Sequence, residues 1–280
     1  MSQPVLRHIA ARWSLVQFPS EVDEWSLDRK FSAIKSAGFD GVAHPPCVSL
    51  SDLCSRHGFF LVGFISSSNA AEFQELLRAN QDCGAHHVNV HLGTGEMPLS
   101  QTADLALALM GQGKRLNVKV SIETHRGTCT ETPERIYALA DAYQKTTGEL
   151  LPLTWDFSHL AVVKHLSPEN FIERLIVRPD LIQSAHQFHL RPFNGHHCQV
   201  PVTDGKGNLT REVRDWLPFA KAVLKCWLEG NRGKDREILV CPEMGPVPGG
   251  YNLSALPNGW EDAKVLRVEI EKIWRSLIAG

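Results

Sequence analysis

Four short segments in the second half of the chain hold most of its reactive side chains: "SIETH" (121–125), "TWDFSH" (154–159), "QFHLR" (187–191) and "VCPE" (240–243). Each begins as an apolar, strand-like run and ends in titratable groups. Glu123 and His125 are two residues apart, so an extended backbone turns both to the same side. Asp156, His189 and Glu243 end later runs in the same way, with His159 three residues beyond Asp156 and Arg191 two beyond His189. A single acidic strand end needs only solvent as its partner. Four successive strand tips ending alike point to a shared site.

Three carboxylates in one site repel one another. At an effective dielectric of about 20, two unit charges about 4 Å apart cost on the order of 4 kcal/mol. Such a cluster requires a cation or strongly shifted protonation. Three oxygen donors and one imidazole suit one hard or borderline divalent ion with open positions: Mn²⁺, Mg²⁺ or Co²⁺, with Zn²⁺ also compatible. The expected ligands are Glu123, Asp156, His189 and Glu243.

Those residues meet only if their strands end on the same side of one sheet. Strand-like runs such as "FFLVGFIS", "HHVNVHLG" and "REILVCPEMG" alternate with helical stretches such as "NAAEFQELLRANQDCG" and "REVRDWLPFAKAVLKCWLEG" along the whole chain. Thr132 and Pro133 mark the start of one such helix as cap and first residue. "LPLTWDFSHL" holds a strand whose tip is Asp156, and "SPENFIERLIV" reads as one helix. About eight strand–helix units in about 250 residues fit an α/β fold closed as a (β/α)₈ TIM barrel, a single domain over residues 1–280. The competing architecture is an open, doubly wound sheet, but no GxGxxG or GxxxxGK[ST] turn follows an early strand.

Composition bounds the function classes. The chain has 280 residues, 43% of them hydrophobic and 21% charged, which excludes a disordered or fibrous protein. A formal charge of −2 argues against a surface built mainly for nucleic acid. The longest apolar run, Phe59 to Ile65, is far short of the ~20 residues of a membrane helix, and the N-terminus lacks a signal-peptide core. Seven cysteines without a CxxC pair suggest neither a disulfide framework nor a zinc ribbon. The expectation is a reduced, cytoplasmic protein.

The motifs "IETH", "DFSH", "FHLR" and "CPE" resemble the xylose isomerase-like TIM-barrel superfamily, which includes the tagatose 3-epimerase type, hydroxypyruvate isomerase, inosose dehydratase and the endonuclease IV group. The resemblance implies one divalent metal on Glu123, Asp156, His189 and Glu243. It also implies substrate contacts from His159 of the D-x-x-H motif and from His91 in "VNVHLG". Two departures stand out. The epimerases place an Arg some six residues beyond the metal His, where this chain has Gly195; Arg191 is the nearby alternative. The additional metal-binding D-x-H pair of the endonuclease IV type is missing, since "HHCQVP" offers His196 and His197 without the aspartate.

The implied activity is a metal-dependent isomerase or epimerase acting on a sugar or polyol through an enediolate, with Glu123 and Glu243 as the acid/base pair. His159, Arg191, His91 and His125 would contact substrate, and Trp13 and Phe64 would wall the pocket. His91 as a core histidine and the two aromatics as ordinary core remain the alternatives. His186 is expected under a helix, and His196 and His197 in solvent. A dehydratase using the same apparatus is the alternative chemistry, and a metal-stabilised binding module the non-enzymatic one. The expected partner is a small sugar or polyol rather than nucleic acid or membrane, with a homo-oligomer left open. Substrate choice would lie in loops 93–98, 191–201 and 245–260, the last long enough to cover the mouth.

Overall fold

The computed structural model describes residues 3–279; Met1, Ser2 and Gly280, at the ends of the expected domain, lie outside the described residues. Eight parallel strands close into a barrel in simple chain order, with the last pairing back onto the first. They are β1 (Val5–Ala11), β2 (Gly41–Ala43), β3 (Phe60–Ser67) and β4 (His87–Leu92), then β5 (Lys119–Glu123), β6 (Leu153–Asp156), β7 (Gln187–His189) and β8 (Glu237–Cys241). Closure explains the absence of any nucleotide-type turn: a closed barrel has no switch point in its strand order.

The main crossover helices are α1 (Leu27–Ser36), α2 (Leu50–His57), α3 (Phe73–Asp82), α4 (Leu99–Leu116) and α5 (Pro133–Thr147). Thr132 caps α5 as expected, its side chain accepting from Arg135 N–H. The crossover from β6 to β7 departs from the expected single helix. It is broken into α6 (Phe157–Val163), α7 (Phe171–Leu175) and α8 (Pro179–Gln183), because Pro168 and Pro179 each open a new turn. The strand before it ends at Asp156, the expected tip. Asp156 turns its carboxylate onto Ser158 N–H and caps α6, so "FSH" is helical. The last helices are α9 (Arg211–Asn231) and α10 (Gly259–Ile278).

Two apolar layers result from the period-two alternation of the strands. Outward-facing residues such as Val90, Ile122, Trp155, Phe188 and Val240 pack beneath the helices in the main core. A second, smaller cluster of Ile9, Ala11, Val62, Leu239 and Cys241 fills one side of the barrel interior. The other side is polar. His87 reaches Ser121, and Ser121 reaches Thr154, across β4, β5 and β6. The cluster of functional groups sits on top of that polar column. No helix among the described residues is long and apolar enough to cross a membrane.

Candidate metal centre and cavity

Strand register brings the four tips together. Asp156 lies directly beside His189, which lies beside Cys241, two residues before Glu243; Glu123 pairs with Thr154. The tip of β6 is fastened to β5 by Thr124. Its hydroxyl accepts from Asp156 N–H at 2.8 Å and donates to Asp156 O at 3.0 Å. Thr130 Oγ1 donates to Glu123 O from the following loop. Glu123, Asp156, His189 and Glu243 thereby each present a donor atom within 4.8 Å of the others.

Hydrogen bonds or ion pairs orient every member of this group. His189 Nδ1 stands between Glu123 Oε1 at 3.1 Å and Glu243 Oε2 at 3.3 Å, and the Gln187 side-chain amide lies 3.0 Å from Nε2. Burial opposes charge on His189, but the carboxylates of Glu243 and Glu123 outweigh it and raise its pKa well above the ordinary value. Burial likewise opposes ionisation of Glu123, and His189 and His91 overcome it, holding this carboxyl well below the usual range. Asn89 Nδ2 and His91 Nε2, the latter at 3.0 Å, engage Glu123 Oε2.

Arg191 provides the second fixed positive charge. It is buried and ion-paired to Asp156, with Nη1 3.5 Å from Glu243 Oε2 and Nε donating to Ser158 Oγ at 3.1 Å. Its backbone neighbourhood explains the missing arginine at 195. A Cβ on Gly195 would stand 2.4 Å from Leu166 O, so no side chain fits there. Positive charge comes instead from Arg191, inside the barrel mouth.

Glu123, His189, Glu243, Arg191, His91, His125, Trp13 and Phe64 all line a cavity of about 420 Å³ at the C-terminal mouth of the barrel. His91 faces that cavity rather than the core, with His125 stacked on it at 3.9 Å between ring centroids and Phe64 edge-on at 4.8 Å. Trp13 arrives from a 3₁₀ turn after β1 rather than from the strand itself. Asp156 and His159 lie one layer behind the wall. Both Asp156 oxygens are engaged, Oδ1 by Ser158 and Oδ2 by Arg191, with His159 Nε2 3.4 Å from Oδ2. Burial, with Arg191 and His125 beside it, lowers the His159 pKa well below the ordinary value, so a neutral ring accepts from Arg191 Nη2 at 3.0 Å.

The outlying histidines are placed differently from one another. His196 and His197 are exposed on their loop. His186 does not pack under a helix; its ring meets His87 at 5.7 Å, and both line a depression at the opposite, N-terminal end of the barrel. The chain turns from α8 into β7 at Ala185–His186, which leaves this ring at the strand's entrance. Cys241 is buried in the lumen, where burial pushes its thiol pKa far above the ordinary value and leaves it unreactive.

Several cavity residues escape a reading confined to strand tips. Asn89 and Gln187 share the inward parity of His91 and His189, a signal present in "HVNVH" and "QFH". Arg12, His44 and Tyr251 come from loops and carry no local pattern. Tyr251 belongs to the 245–260 loop, which does reach the mouth. Its ring meets Trp13 edge-on at 4.7 Å and its hydroxyl accepts from Arg126 Nη2 at 2.7 Å. Gly245 permits that closure, since a Cβ there would sit 2.5 Å from Tyr251 Cβ and 2.7 Å from the Trp13 ring.

No protein-family model matches the chain, and no curated protein matches it in sequence. Solved structures do match in shape. A structure of L-ribulose 3-epimerase superposes with a TM-score of 0.61 at 14% identity, covering 100% of this chain and 99% of that one. A D-tagatose 3-epimerase-like protein gives 0.58 at 17% identity, covering 97% and 99%. The probable 3-DHS dehydratase of Bacillus anthracis gives 0.57 at 12% identity, covering 93% and 98%. At such identities the likeness establishes the fold alone, and the chain is a closed (β/α)₈ barrel.

Proposed function

We propose that the chain is a divalent-metal-dependent isomerase or epimerase of a sugar or polyol, moving a proton at a carbon next to a carbonyl. The observation that carries this reading is the convergence of Glu123, Asp156, His189 and Glu243 within 4.8 Å at a cavity mouth. Two carboxylates at that separation repel by about 3 kcal/mol at an effective dielectric of about 20. Imidazole and carboxylate donors in this number fit Mn²⁺, Mg²⁺ or Co²⁺, with Zn²⁺ also compatible. The ion would supply Lewis acidity toward the carbonyl and neighbouring hydroxyl oxygens of the substrate.

The chain's own groups divide the remaining work. Glu243, 18% exposed and turned to the cavity, is placed to take the substrate proton, with Arg191 and His189 holding its Oε2. Glu123, 2% exposed, flanks the same histidine on its other side. It takes a proton from its hydrogen-bonded partner His91 and delivers it to the carbon, while Glu243 releases the proton it took to solvent at the end of the cycle. His91, hydrogen-bonded to Glu123, links that carboxylate to the cavity. His159 is a positioning residue, acting through Arg191 and Asp156 rather than on substrate. His125, Trp13 and Phe64 bound the space where the carbon chain lies.

A second reading uses the same groups. Where the carbon beyond the deprotonated centre bears a hydroxyl, Glu123 protonates that oxygen and water leaves. The shape likeness to the probable 3-DHS dehydratase favours keeping it.

Incubation of the metal-loaded protein with a panel of ketoses in D₂O separates these outcomes. A true substrate gains deuterium at the carbon beside the carbonyl. An epimerase returns unchanged mass apart from label, and a dehydratase returns a product lighter by one water. Glu243→Gln should lower turnover by ~10²–10⁴-fold; wild-type turnover in that variant would remove the two-carboxylate mechanism.

A further inference from the structure

The cavity wall formed by the loops after β1 and β2 carries polar groups that the proton transfer does not use. Arg12 and Trp13 lie in the turn after β1, and His44 immediately follows β2; all three line the cavity. Each holds a buried polar atom without a hydrogen-bond partner: Arg12 Nε, Trp13 Nε1 and His44 Nε2. Buried donors and acceptors left unpaired are costly and uncommon. Three on one wall of a ligand-sized space point to a ligand that satisfies them.

Arg12 is the decisive member. Among the described residues its side chain makes no hydrogen bond or ion pair, whereas Arg191, the other guanidinium lining the cavity, is engaged by Asp156, Glu243 and Ser158. Glu24, the acid on the same loop whose charge reaches Arg12, is ion-paired to Lys30. A half-buried, unpaired guanidinium facing a cavity is a receptor for an oxyanion. His44 adds an acceptor. Its Nδ1 lies 2.5 Å from Pro45 O, and a carbonyl only accepts, so Nδ1 carries the hydrogen and Nε2 is bare in the neutral ring. Burial, with Arg12 and Lys30 nearby, lowers the His44 pKa and keeps the ring neutral.

We propose that Arg12 and Trp13 form an oxyanion subsite and that the substrate is a polyhydroxy compound ending in a carboxylate or a phosphate, with His44 Nε2 accepting from an adjacent hydroxyl. The cavity is then electrostatically polar along its length. Its acidic end repels the anionic terminus and receives the carbonyl, and its Arg12 end fixes which way round the substrate enters. This deepens the proposed isomerase reading for its chemistry, but the binding claim stands without turnover.

The test uses probes that bind without reacting: D-glucitol, D-glucitol 6-phosphate and D-gluconate, titrated calorimetrically into the metal-loaded protein. One of the two anions should bind about 10–100-fold more tightly than D-glucitol, the gain expected of a charge-assisted hydrogen-bonded pair. Whichever anion wins identifies the terminal group. Arg12→Gln should abolish the preference, and Trp13→Phe, which keeps a ring but removes the N–H, should reduce it about 3- to 10-fold. Equal binding of all three probes, no binding of either anion, or an anion preference that survives in both variants would overturn the subsite. Anion preference without deuterium incorporation from any anionic ketose would retain the subsite and reject the isomerase.

Discussion

The barrel lumen has two unlike halves. From β8 through β1 to β3 its inward positions are Leu239, Cys241, Ile9, Ala11 and Val62, a small apolar cluster with ordinary packing. From β4 to β7 they are His87, Asn89, His91, Ser121, Glu123, Thr154, Gln187 and His189, linked by hydrogen bonds within the set, and Asp156, whose carboxylate is held by Ser158 and Arg191. Both halves alternate with the same outward-facing hydrophobic layer, so the helices cannot distinguish them. The apolar half can collapse onto itself and stabilises the closed sheet. The polar half holds buried charges whose desolvation is offset only by partners in good geometry. On the proposed function, one half serves stability and the other chemistry.

Substitutions on each side should separate these roles. The largest effect belongs to Glu123→Gln, which removes a carboxylate from the donor cluster and from proton return. Turnover of the best substrate should fall ~10²–10⁴-fold, bound divalent metal measured by elemental analysis should drop, and the melting temperature of the chelated protein should move less than in the next variant. Ile9→Ala, on the apolar side, should cost about 2–5 kcal/mol by denaturant unfolding while the metal content of the folded protein stays at the wild-type level. Loss of metal in Ile9→Ala at full folding would show that the halves are not separable.

The smallest effect contrasts the two ends of the polar column. His189, at the top, is raised by its carboxylates, whereas His186, at the floor, is lowered to about 4 by burial, Arg236 and Lys119. With a folded pKa below the unfolded value near 6.5, His186 is neutral in the native state where the unfolded chain takes up a proton. Its contribution is intact above pH 6.5 and lost as pH falls toward 4, with a slope of up to about 1.4 kcal/mol per pH unit. Unfolding free energies of His186→Gln between pH 4 and 7 should show a shallower acid limb. An unchanged slope would leave that limb to other groups, His87 first among them.

Much of this division is written in the sequence as period two. "HVNVH", "SIE", "TWD" and "QFH" alternate polar with apolar residues, which is how a strand with one face in a polar lumen must read. Attention to titratable tips finds Glu123, Asp156, His189 and Glu243 but passes over Asn89, Ser121, Thr154 and Gln187, whose parity is identical. Asp156 does mark where β6 ends, but nothing in the alternation shows that it serves at once as strand tip and helix cap. Loop residues are illegible for a different reason. Arg12, His44 and Tyr251 reach the cavity through turns whose direction depends on the closed barrel beneath them, and Gly195 is explained only by Leu166 O, a contact from another crossover.

Tyr251 has a consequence for residence time. Gln199 anchors the base of the 245–260 loop at Gly245, whereas the Tyr251 hydroxyl at the mouth is held by one hydrogen bond, from Arg126. The Tyr251 ring rests on the Trp13 edge and beneath the Arg126 and Arg191 guanidinium groups. A single such bond has a net worth of about 0.5–1.5 kcal/mol, so breaking it shifts the balance of closed and open forms by only about two- to tenfold. Arg126 and Tyr251 both lie outside the strands, and the bond can break without disturbing any donor in the cluster. That hydrogen bond is therefore a weak latch, and the dwell of a molecule bound below it would be set by what that molecule contacts deeper inside.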